Sequence, residues 1–278
     1  MNQLYNVIGI SKQAVHKHIK RKNYFDSNLI PLISKADELK KEHPGCGVEK
    51  MYYSLRPDFI GRDKFIDIFM SLGYRLKRKQ NYHRTTIASL IYKPNLIKGL
   101  VINAPSVLWQ SDITYIKVEN KHCYAVFIID VYTKEIVGYS ISEHMRASAN
   151  VIALKMALKN HISPKIHHSD RGGQYISKVY VNLLEVNNVK ISMGLTAQEN
   201  AYAERINRTI KEEYLEDRWI RSVSQLKSVV ARAVLHYNQF RPHKSLGMIS
   251  PLDFIKKWRK TKNEEKIEIT IFDDRINN

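Results

Sequence analysis

Three acidic residues in this sequence lie in stretches whose residue types could do metal-assisted chemistry. They are Asp112 in "WQSDITYI", Asp170 in "IHHSDRGGQY" and Glu204 in "ENAYAERINRTIKEEY". Carboxylates that come close together repel one another and take up protons unless cations neutralise them. Two Mg²⁺ or Mn²⁺ ions about 3.5–4 Å apart can activate an attacking oxygen and stabilise a leaving oxygen at phosphorus. Converging carboxylates would therefore predict a two-ion phosphoryl-transfer site, although Asp170 alone could equally be a turn residue before "RGG".

The elements around these residues predict an α/β fold. The runs "VLWQSDITYIKV", "HCYAVFIIDVY" and "EIVGYSIS" are rich in β-branched and aromatic residues and predict a three-stranded meander. A helix at "SANVIALKMALKNH", a strand at "KIHHSD", a helix at "SKVYVNLLEVN" and a strand at "VKISM" follow, and then helices near 200–217 and 223–240. Right-handed crossovers then give a ribonuclease-H-like mixed five-stranded sheet flanked by helices on both faces.

This topology would bring the three carboxylates together from distant parts of the chain. The middle of the first strand, which holds Asp112, would lie beside the end of the fourth strand, which holds Asp170. Asp112 shares a strand face with Gln110 and Thr114. Glu204 would share a helix face with Arg208 and Lys211. The aspartate in "HCYAVFIIDVY", Asp130, is expected to accept local hydrogen bonds rather than to bind metal.

The N-terminal region is predicted to be all-α and helix-turn-helix-like. A glycine turn, an N-capping serine at Ser11 and a helix through "KQAVHKHIKRK" are typical of the second half of a helix-turn-helix. Further helices are expected at "NLIPLISKADELKKEH", "VEKMYYSL" and "GRDKFIDIFMSLGY". The alternative to a DNA-binding role is a helical dimerisation or packing module.

The expected division of the chain has five parts. It comprises a partial helix-turn-helix-like segment at 1–27, a helical DNA-binding domain at 28–88, a linker at 89–104, a catalytic core at 105–250 and a charged C-terminal tail at 251–278.

The charge of the chain favours nucleic acid as a partner. The 278 residues include 45 Lys and Arg against 27 Asp and Glu, for a net charge of +18. Residues 1–100 hold 19 of the basic and 8 of the acidic residues, so the excess leans towards the N-terminus. Such clusters suit phosphate backbones, although a solvated basic surface is the alternative. The candidate DNA-binding residues are Lys12, Lys17, Arg21, Arg75, Lys77, Arg78, Arg171, Arg208 and Lys211.

The remaining composition excludes several protein classes. Cys46 and Cys123 stand far apart and outside any CxxC spacing, which argues against a disulfide framework and a structural zinc site. The sequence has no signal-peptide core and no apolar run approaching about 18 residues, the minimum for a membrane span. We therefore expect a soluble cytoplasmic protein with no membrane partner.

Six ordered blocks resemble one protein family. They are "WQSDITYI", "YAVFIIDVYTKEIVGYS", "IHHSDRGGQYIS", "ISMG", "ENAYAERINRTIKEEY" and "YNQFRPHKSL" followed by "SPLDF". They resemble the OrfB-type transposases of bacterial insertion sequences, which have a DDE catalytic core and belong to the retroviral-integrase superfamily. "HPGCGVEKMYYSL" resembles the N-terminal helical segment of the same family. The resemblance implies that Asp112, Asp170 and Glu204 are catalytic metal ligands and that Lys211 contacts DNA.

The resemblance also implies a reaction and partners. The reaction is Mg²⁺-dependent DNA strand cleavage followed by transfer of the freed 3′ hydroxyl. The expected partners are the terminal inverted repeats of an insertion sequence, target DNA, further copies of the chain and the upstream reading-frame product, as a fusion or separately. A ribonuclease-H-like nuclease or resolvase and a non-catalytic DNA-binding remnant are the alternative functions.

The chain departs from the family between the second and third carboxylates. Only 33 residues separate Asp170 from Glu204, fewer than family members commonly have, and the shortage falls in "MGLTAQEN". Glu199 and Glu212 are therefore the alternative third carboxylates. Glu199 precedes the helix and Glu212 lies more than two turns beyond Glu204, so helical geometry favours Glu204.

Overall fold

A computed structural model describes residues 11–76, 93–119 and 121–271. The described chain separates into two compact units. The first contains residues up to 42 and from 46 to 76, and the second contains residues 43–45 and those from 93 onwards. No helix within these described ranges has both the length and the apolarity of a membrane span.

The first unit is built from three helices, α1 (Lys12–Glu42), α2 (Val48–Leu55) and α3 (Arg62–Ser71). The predicted cap at Ser11 is confirmed, because its Oγ accepts a hydrogen bond from the Ala14 N–H at 3.1 Å. The turn predicted before Ser11 lies outside the described residues. Phe65 and Phe69 stack with ring centroids 4.1 Å apart and form the centre of the buried core of this unit.

The boundary expected between residues 27 and 28 falls inside α1, so one helix occupies the place of two predicted segments. The sequence has no glycine there to end the helix, and the helix continues through Pro31. Before residue 28 most side chains of α1 are exposed, whereas Leu32 and Ala36 are buried in the core of the unit. The helix therefore has a solvated first half and a packed second half.

The second unit is centred on the predicted five-stranded sheet, whose strand order is β4-β3-β2-β5-β6. The strands are β2 (Leu108–Val118), β3 (Lys121–Asp130), β4 (Ile136–Ser142), β5 (Ile166–Ser169) and β6 (Lys190–Met193). A separate antiparallel pair joins β1 (Val101–Ile102) to β7 (Ile269–Thr270). The strands β2, β3 and β4 form the predicted antiparallel meander, whereas β5 and β6 extend the sheet in parallel.

Helices cover both faces of the sheet, as predicted. One face carries α4 (Ala147–Asn160) and α5 (Lys178–Glu185), packed around Trp109. The other face carries α6 (Ala201–Ile210), its continuation Lys211–Leu215, and α7 (Val223–Phe240). Alternate residues of β2 serve the two faces, with Trp109 and Ile113 towards α4 and Ile116 and Val118 towards α6.

Two segments expected to be peripheral are parts of the second unit. In the expected linker at 89–104, Ile97 and Ile102 are fully buried. In the expected tail at 251–278, residues Pro251–Lys260 form helix α8. Phe254 of α8 packs in the same apolar cluster as Ile97 and Ile102. Burial of these apolar side chains explains why neither segment is a free connection.

Gly138 on β4 lies where a larger residue would collide with α4. A Cβ built there would overlap the backbone oxygen of Ala153 and approach the Ala157 Cβ to 2.9 Å. Gly138→Ala should therefore lower the free energy of unfolding by about 1–3 kcal/mol, because strand and helix must separate. Thermal denaturation would measure this, with Gly173→Ala as control, since a Cβ on Gly173 meets no atom within 4 Å. Equal melting temperatures for the two variants would contradict the close approach of β4 and α4.

Candidate active site

The register of β2 against β5 places Asp112 and Asp170 next to each other. The parallel pairing runs from Leu108 with Ile166 to Ser111 with Ser169. Asp112 is the next residue within β2, and Asp170 is the first residue after β5. Asp112 Oδ1 accepts from the Ile113 N–H at 2.9 Å. Asp170 Oδ1 accepts from the Gly172 N–H at 3.0 Å. Both carboxylates are therefore held by backbone N–H groups at neighbouring positions of the sheet.

Helix α6 brings the third carboxylate to the same face of the sheet. Asn207, one helical turn after Glu204, donates from Nδ2 to Asp112 Oδ2 at 2.8 Å. Residues three apart lie on one face of a helix, so the face that carries Glu204 is turned towards Asp112. Apolar side chains on the other side of α6, including Ile206 and Ile210, are buried in the core. The amphipathic pattern of α6 therefore sets the direction of Glu204.

Three hydrogen bonds join the start of α6 to β2 just before Asp112. Gln110 donates from Nε2 to the Glu199 carbonyl at 3.3 Å, and its Oε1 accepts from the Tyr202 N–H at 3.2 Å. Asn200 donates from Nδ2 to the Ser111 carbonyl at 2.9 Å. Gln110 is fully buried, so these bonds are shielded from water. Neither these amide side chains nor that of Asn207 was identified as functional from the sequence. The available signal was that Asn207 follows Glu204 by one helical turn and so shares its helix face.

The electrostatics of Asp112 reflect this crowding. Burial raises the pKa of Asp112 from 3.8 to about 7, and the negative charges of Asp170 and Glu204 act in the same direction. Hydrogen bonds from Ile113 and Asn207 offset part of this rise. Burial also raises the pKa of Asp170 and of Glu204, and Arg208 opposes the rise at Glu204. Ionising all three groups would require additional positive charge nearby.

The donor chemistry of the site fits a hard divalent cation. Three carboxylates supply oxygen ligands of the kind that Mg²⁺ and Mn²⁺ prefer. Across the described ranges, no three His, Cys, Asp or Glu side chains are close enough together to hold one ion. Asp170 and Glu204 therefore interact with Asp112 electrostatically without forming a closed set of ligands in this structure.

The alternative third carboxylates have other environments. Glu199 caps the loop before α6, with Oε2 accepting from the Leu195 and Thr196 N–H groups and Oε1 accepting from Asn95 Nδ2 at 2.9 Å. Burial tends to raise the pKa of Glu199, but these hydrogen bonds lower it below its ordinary value. Glu212 is exposed. The buried Asp130 accepts four N–H donors from nearby residues, as expected for a local acceptor.

Each of the two adjacent histidines before Asp170 has one ring nitrogen within hydrogen-bond distance of a hydroxyl group of the fold. His167 Nε2 lies 3.0 Å from the Tyr180 hydroxyl, and His168 Nδ1 lies 2.8 Å from the Ser192 hydroxyl. Burial lowers the pKa of His167 to about 3 and that of His168 to about 4. Both imidazoles are therefore neutral at pH 7.

The basic candidates divide between the two units. Arg208 and Lys211 are exposed at the end of α6, and Arg171 is partly buried beside Asp170. In the first unit, Lys17 and Arg21 share a face of α1, whereas Lys12 lies on the opposite side of the helix from Arg21. The exposed candidates of this unit are Lys12, Lys17, Arg21 and Arg75. Lys77 and Arg78 lie outside the described residues.

Comparisons with known proteins identify relatives of this chain. Two models of the integrase core domain match residues 102–198 and 187–251, which together span more than half of the chain. The uncharacterized 31 kDa protein of insertion element IS600 from Shigella sonnei is 34% identical over 207 residues, covering 72% of this chain and 76% of its own. Transposase InsF for insertion sequence IS3A, from Escherichia coli K12, is 31% identical over 228 residues, covering 80% and 75%. The solved HTLV-2 integrase catalytic core in complex with magnesium is 17% identical, covers 58% of this chain and 98% of its own, and has a TM-score of 0.46.

The raised pKa of Asp112 predicts how pH affects stability without divalent cations. A carboxyl group whose pKa is higher in the folded than in the unfolded state stabilises the fold most at a pH below its unfolded-state pKa. For Asp112 this stabilisation is lost as the pH rises through about 7. In EDTA, the melting temperature of Asp112→Asn relative to that of wild type should therefore increase as the pH is raised from 5 to 8. The exposed Glu264→Gln serves as the control. A difference from wild type that stays constant over this range would contradict the crowding of charge at Asp112.

Proposed function

We propose a reaction for this chain, which belongs to the integrase core domain family of bacterial insertion-sequence transposases. The reaction cuts a DNA strand at the end of an insertion sequence and then joins the freed 3′ hydroxyl to another DNA strand. The observation that supports the proposal is that the charges of Asp170, just after β5, and Glu204, on the helix bonded to β2, both raise the pKa of Asp112 on β2. Their mutual repulsion supports a site that works with bound cations.

The proposed ligands are the carboxylates of Asp112, Asp170 and Glu204, which would hold two Mg²⁺ or Mn²⁺ ions. When bound, such ions supply activation of the attacking oxygen and stabilisation of the leaving oxygen at phosphorus. Asn207 orients the Asp112 carboxylate through its Nδ2 group, and the Gly172 N–H fixes the Asp170 carboxylate. Glu204 would supply the third carboxylate of the set.

Cationic side chains near the carboxylates are proposed to place the DNA. Arg208 and Lys211 extend the face of α6 beyond Glu204 and are exposed, so they can reach phosphates beside the reacting strand. Arg171 is the corresponding residue beside Asp170. These contacts would fix the position of the strand without selecting its sequence.

The first unit is proposed to bind the terminal inverted repeats. Support comes from the exposed basic half of α1, which includes Lys12, Lys17 and Arg21, and from Arg75 after α3. Lys77 and Arg78, which follow in the sequence, belong to the same proposal. Target DNA, further copies of the chain on DNA, and the upstream reading-frame product are the other proposed partners. A protein with these partners would work at the bacterial nucleoid.

Removing one anionic ligand tests the proposed chemistry. Glu204→Gln should lower cleavage and joining at least about 100-fold, because a neutral amide is a weaker ligand than a carboxylate for the cations that would stabilise the anionic transition state. DNA binding and melting temperature should stay close to wild type. The measurement is a gel assay of nicking and end-joining on a labelled insertion-sequence end with Mg²⁺ or Mn²⁺.

Glu199→Gln is the matched control for this substitution, because it changes the same chemical group on the other side of the loop. It should retain activity within about tenfold of wild type. Full activity of Glu204→Gln would reject the three-carboxylate site. Loss of activity in Glu199→Gln alone would indicate that Glu199, rather than Glu204, is the third ligand. Cleavage without any joined product would favour a nuclease or resolvase.

The proposed DNA contact of α1 predicts a salt effect. Lys17→Ala with Arg21→Ala in the full chain should weaken DNA binding and reduce the dependence of log K on log salt by about 2, one for each lost phosphate contact. Fluorescence anisotropy over a salt series would measure it, with the exposed Lys227→Ala as control. An unchanged salt slope would remove this face of α1 from the DNA interface.

A further inference from the structure

The helix that carries Glu204 ends in an irregular turn. Residues Lys211–Leu215 continue α6 as a π-helix, in which the Glu216 N–H donates to the Lys211 carbonyl at 2.8 Å. A π-turn adds one residue to the helical repeat, interrupts the regular hydrogen bonding and is frequent at functional sites. The question is which contacts hold this turn in place.

A buried ion pair fixes the turn from α7. Arg241, which follows α7, donates from Nε to Glu213 Oε2 at 2.7 Å and from a terminal nitrogen to Glu213 Oε1 at 2.8 Å. The side chains of Arg241 and Glu213 are only 9% and 16% exposed. Burial alone would lower the pKa of Arg241, but the hydrogen bonds and charge of Glu213 raise it above its ordinary value. The two groups are therefore charged and joined in a bidentate arrangement.

A short segment from far earlier in the sequence contacts the same turn. His43 Nε2 lies 2.7 Å from Glu213 Oε2, and the His43 ring stacks on Tyr214 with centroids 4.2 Å apart. Gly45 donates its N–H to the Glu213 carbonyl at 2.6 Å, and a Cβ on Gly45 would overlap the Glu213 Cα. Only glycine lets the backbone approach this closely, which gives a physical reason for glycine in "HPG". Residues 43–45 belong to the second unit.

Stability alone is a weak explanation for these contacts. A buried ion pair is often no more stabilising than well-packed apolar residues of similar volume, because both charges must be desolvated. A bidentate pair does, however, fix distance and orientation. Its location on the direct continuation of α6 means that it fixes the position of the helix that bears Glu204.

We infer that Glu213, Arg241, His43 and Gly45 form a clamp that sets the axial position and rotation of α6, and so positions Glu204 for the reaction. The amides at the start of α6 attach it to β2, and the clamp holds its other end. The four are positioning residues, since none of them lies among the three carboxylates. The inference rests on the proposed role of Glu204 as the third ligand.

The clamp also gives a role to a sequence block that the reaction leaves unexplained. Within "YNQFRPH", Asn238 bonds through its side chain to both backbone groups of Ile136 at the start of β4. Arg241 reaches Glu213, and its other terminal nitrogen lies 3.1 Å from His243 Nε2. The block therefore joins the edge of the sheet to the end of α6.

Two variants of the ion pair separate positioning from stability. Arg241→Lys keeps the charge but cannot form the bidentate pair, so turnover should fall about 10- to 100-fold, because small displacements of a reacting group are costly. The Mg²⁺ concentration for half-maximal activity should rise, and DNA affinity should not change. The double variant Glu213→Gln with Arg241→Met should recover most of any lost melting temperature and yet remain slow. Recovery of both melting temperature and wild-type turnover would overturn the inference.

Controls keep the experiment decisive. Ser250→Ala removes the hydroxyl that caps α8, where Asp253 N–H donates to Ser250 Oγ at 3.2 Å, and should lower stability without changing turnover or Mg²⁺ dependence. If the Arg241 variants fail to fold, His43→Phe keeps a ring on Tyr214 and removes the bond to Glu213. Its half-maximal Mg²⁺ concentration should rise, and a value equal to wild type would reject the clamp.

The same assays distinguish this inference from the proposed function. Inactive wild-type protein, or an active Glu204→Gln variant, would reject the proposed site. An active wild type with an inactive Glu204→Gln variant, combined with wild-type behaviour of all clamp variants, would reject the clamp alone.

Discussion

Repulsion between carboxylates is the constraint on which the rest of the second unit depends. The parallel register of β2 and β5 makes Asp112 and Asp170 neighbours, and α6 adds the charge of Glu204. Left alone, this arrangement favours protonation of Asp112 or separation of the elements. The fold must therefore hold the strands and the helix together against the charges they carry, so that cations rather than protons can neutralise them.

The hydrogen bonds that join β2 to α6 near the site come from neutral side chains. Gln110, Asn200 and Asn207 join β2 to α6 through amide groups, which hold position without changing the net charge around the carboxylates. The ion pair between Glu213 and Arg241 lies at the π-turn, at the C-terminal end of α6. Neutral amides fix α6 near the carboxylates, and the ion pair fixes it at the far end. The helix is therefore held at both ends without the cation of that pair neutralising the carboxylates, which remain available to bind divalent cations.

Local patterns in the sequence were sufficient to predict the sheet and the helices on both faces. The assignment of the three carboxylates as ligands also drew on the family resemblance and stays a prediction. The apolar, β-branched runs of β2 and β3 are typical of strands. Asp112 is conspicuous in such a run because burying a charge there costs free energy. Other features depended on tertiary contacts that no local pattern encodes. No local pattern indicates that Phe254 packs in the same apolar cluster as Ile97. Glu213 and its exposed neighbour Glu212 are the same residue type, and only the contacts of Arg241 and His43 with Glu213 distinguish their environments. The continuity of α1 through Pro31 is a similar case, since packing of Leu32 and Ala36 outweighs the helix-breaking tendency of proline.

The central claim is that the three carboxylates are shared ligands for divalent cations, and locating the cations tests it most directly. Crystals of the full chain bound to an insertion-sequence end could be grown with Mn²⁺, whose anomalous scattering marks its position. The account predicts anomalous peaks within about 2.0–2.3 Å of carboxylate oxygens of Asp112 and Asp170, with Glu204 completing the coordination of one ion. Peaks elsewhere, or well-ordered DNA at the site with no ion between Asp112 and Asp170, would contradict the account.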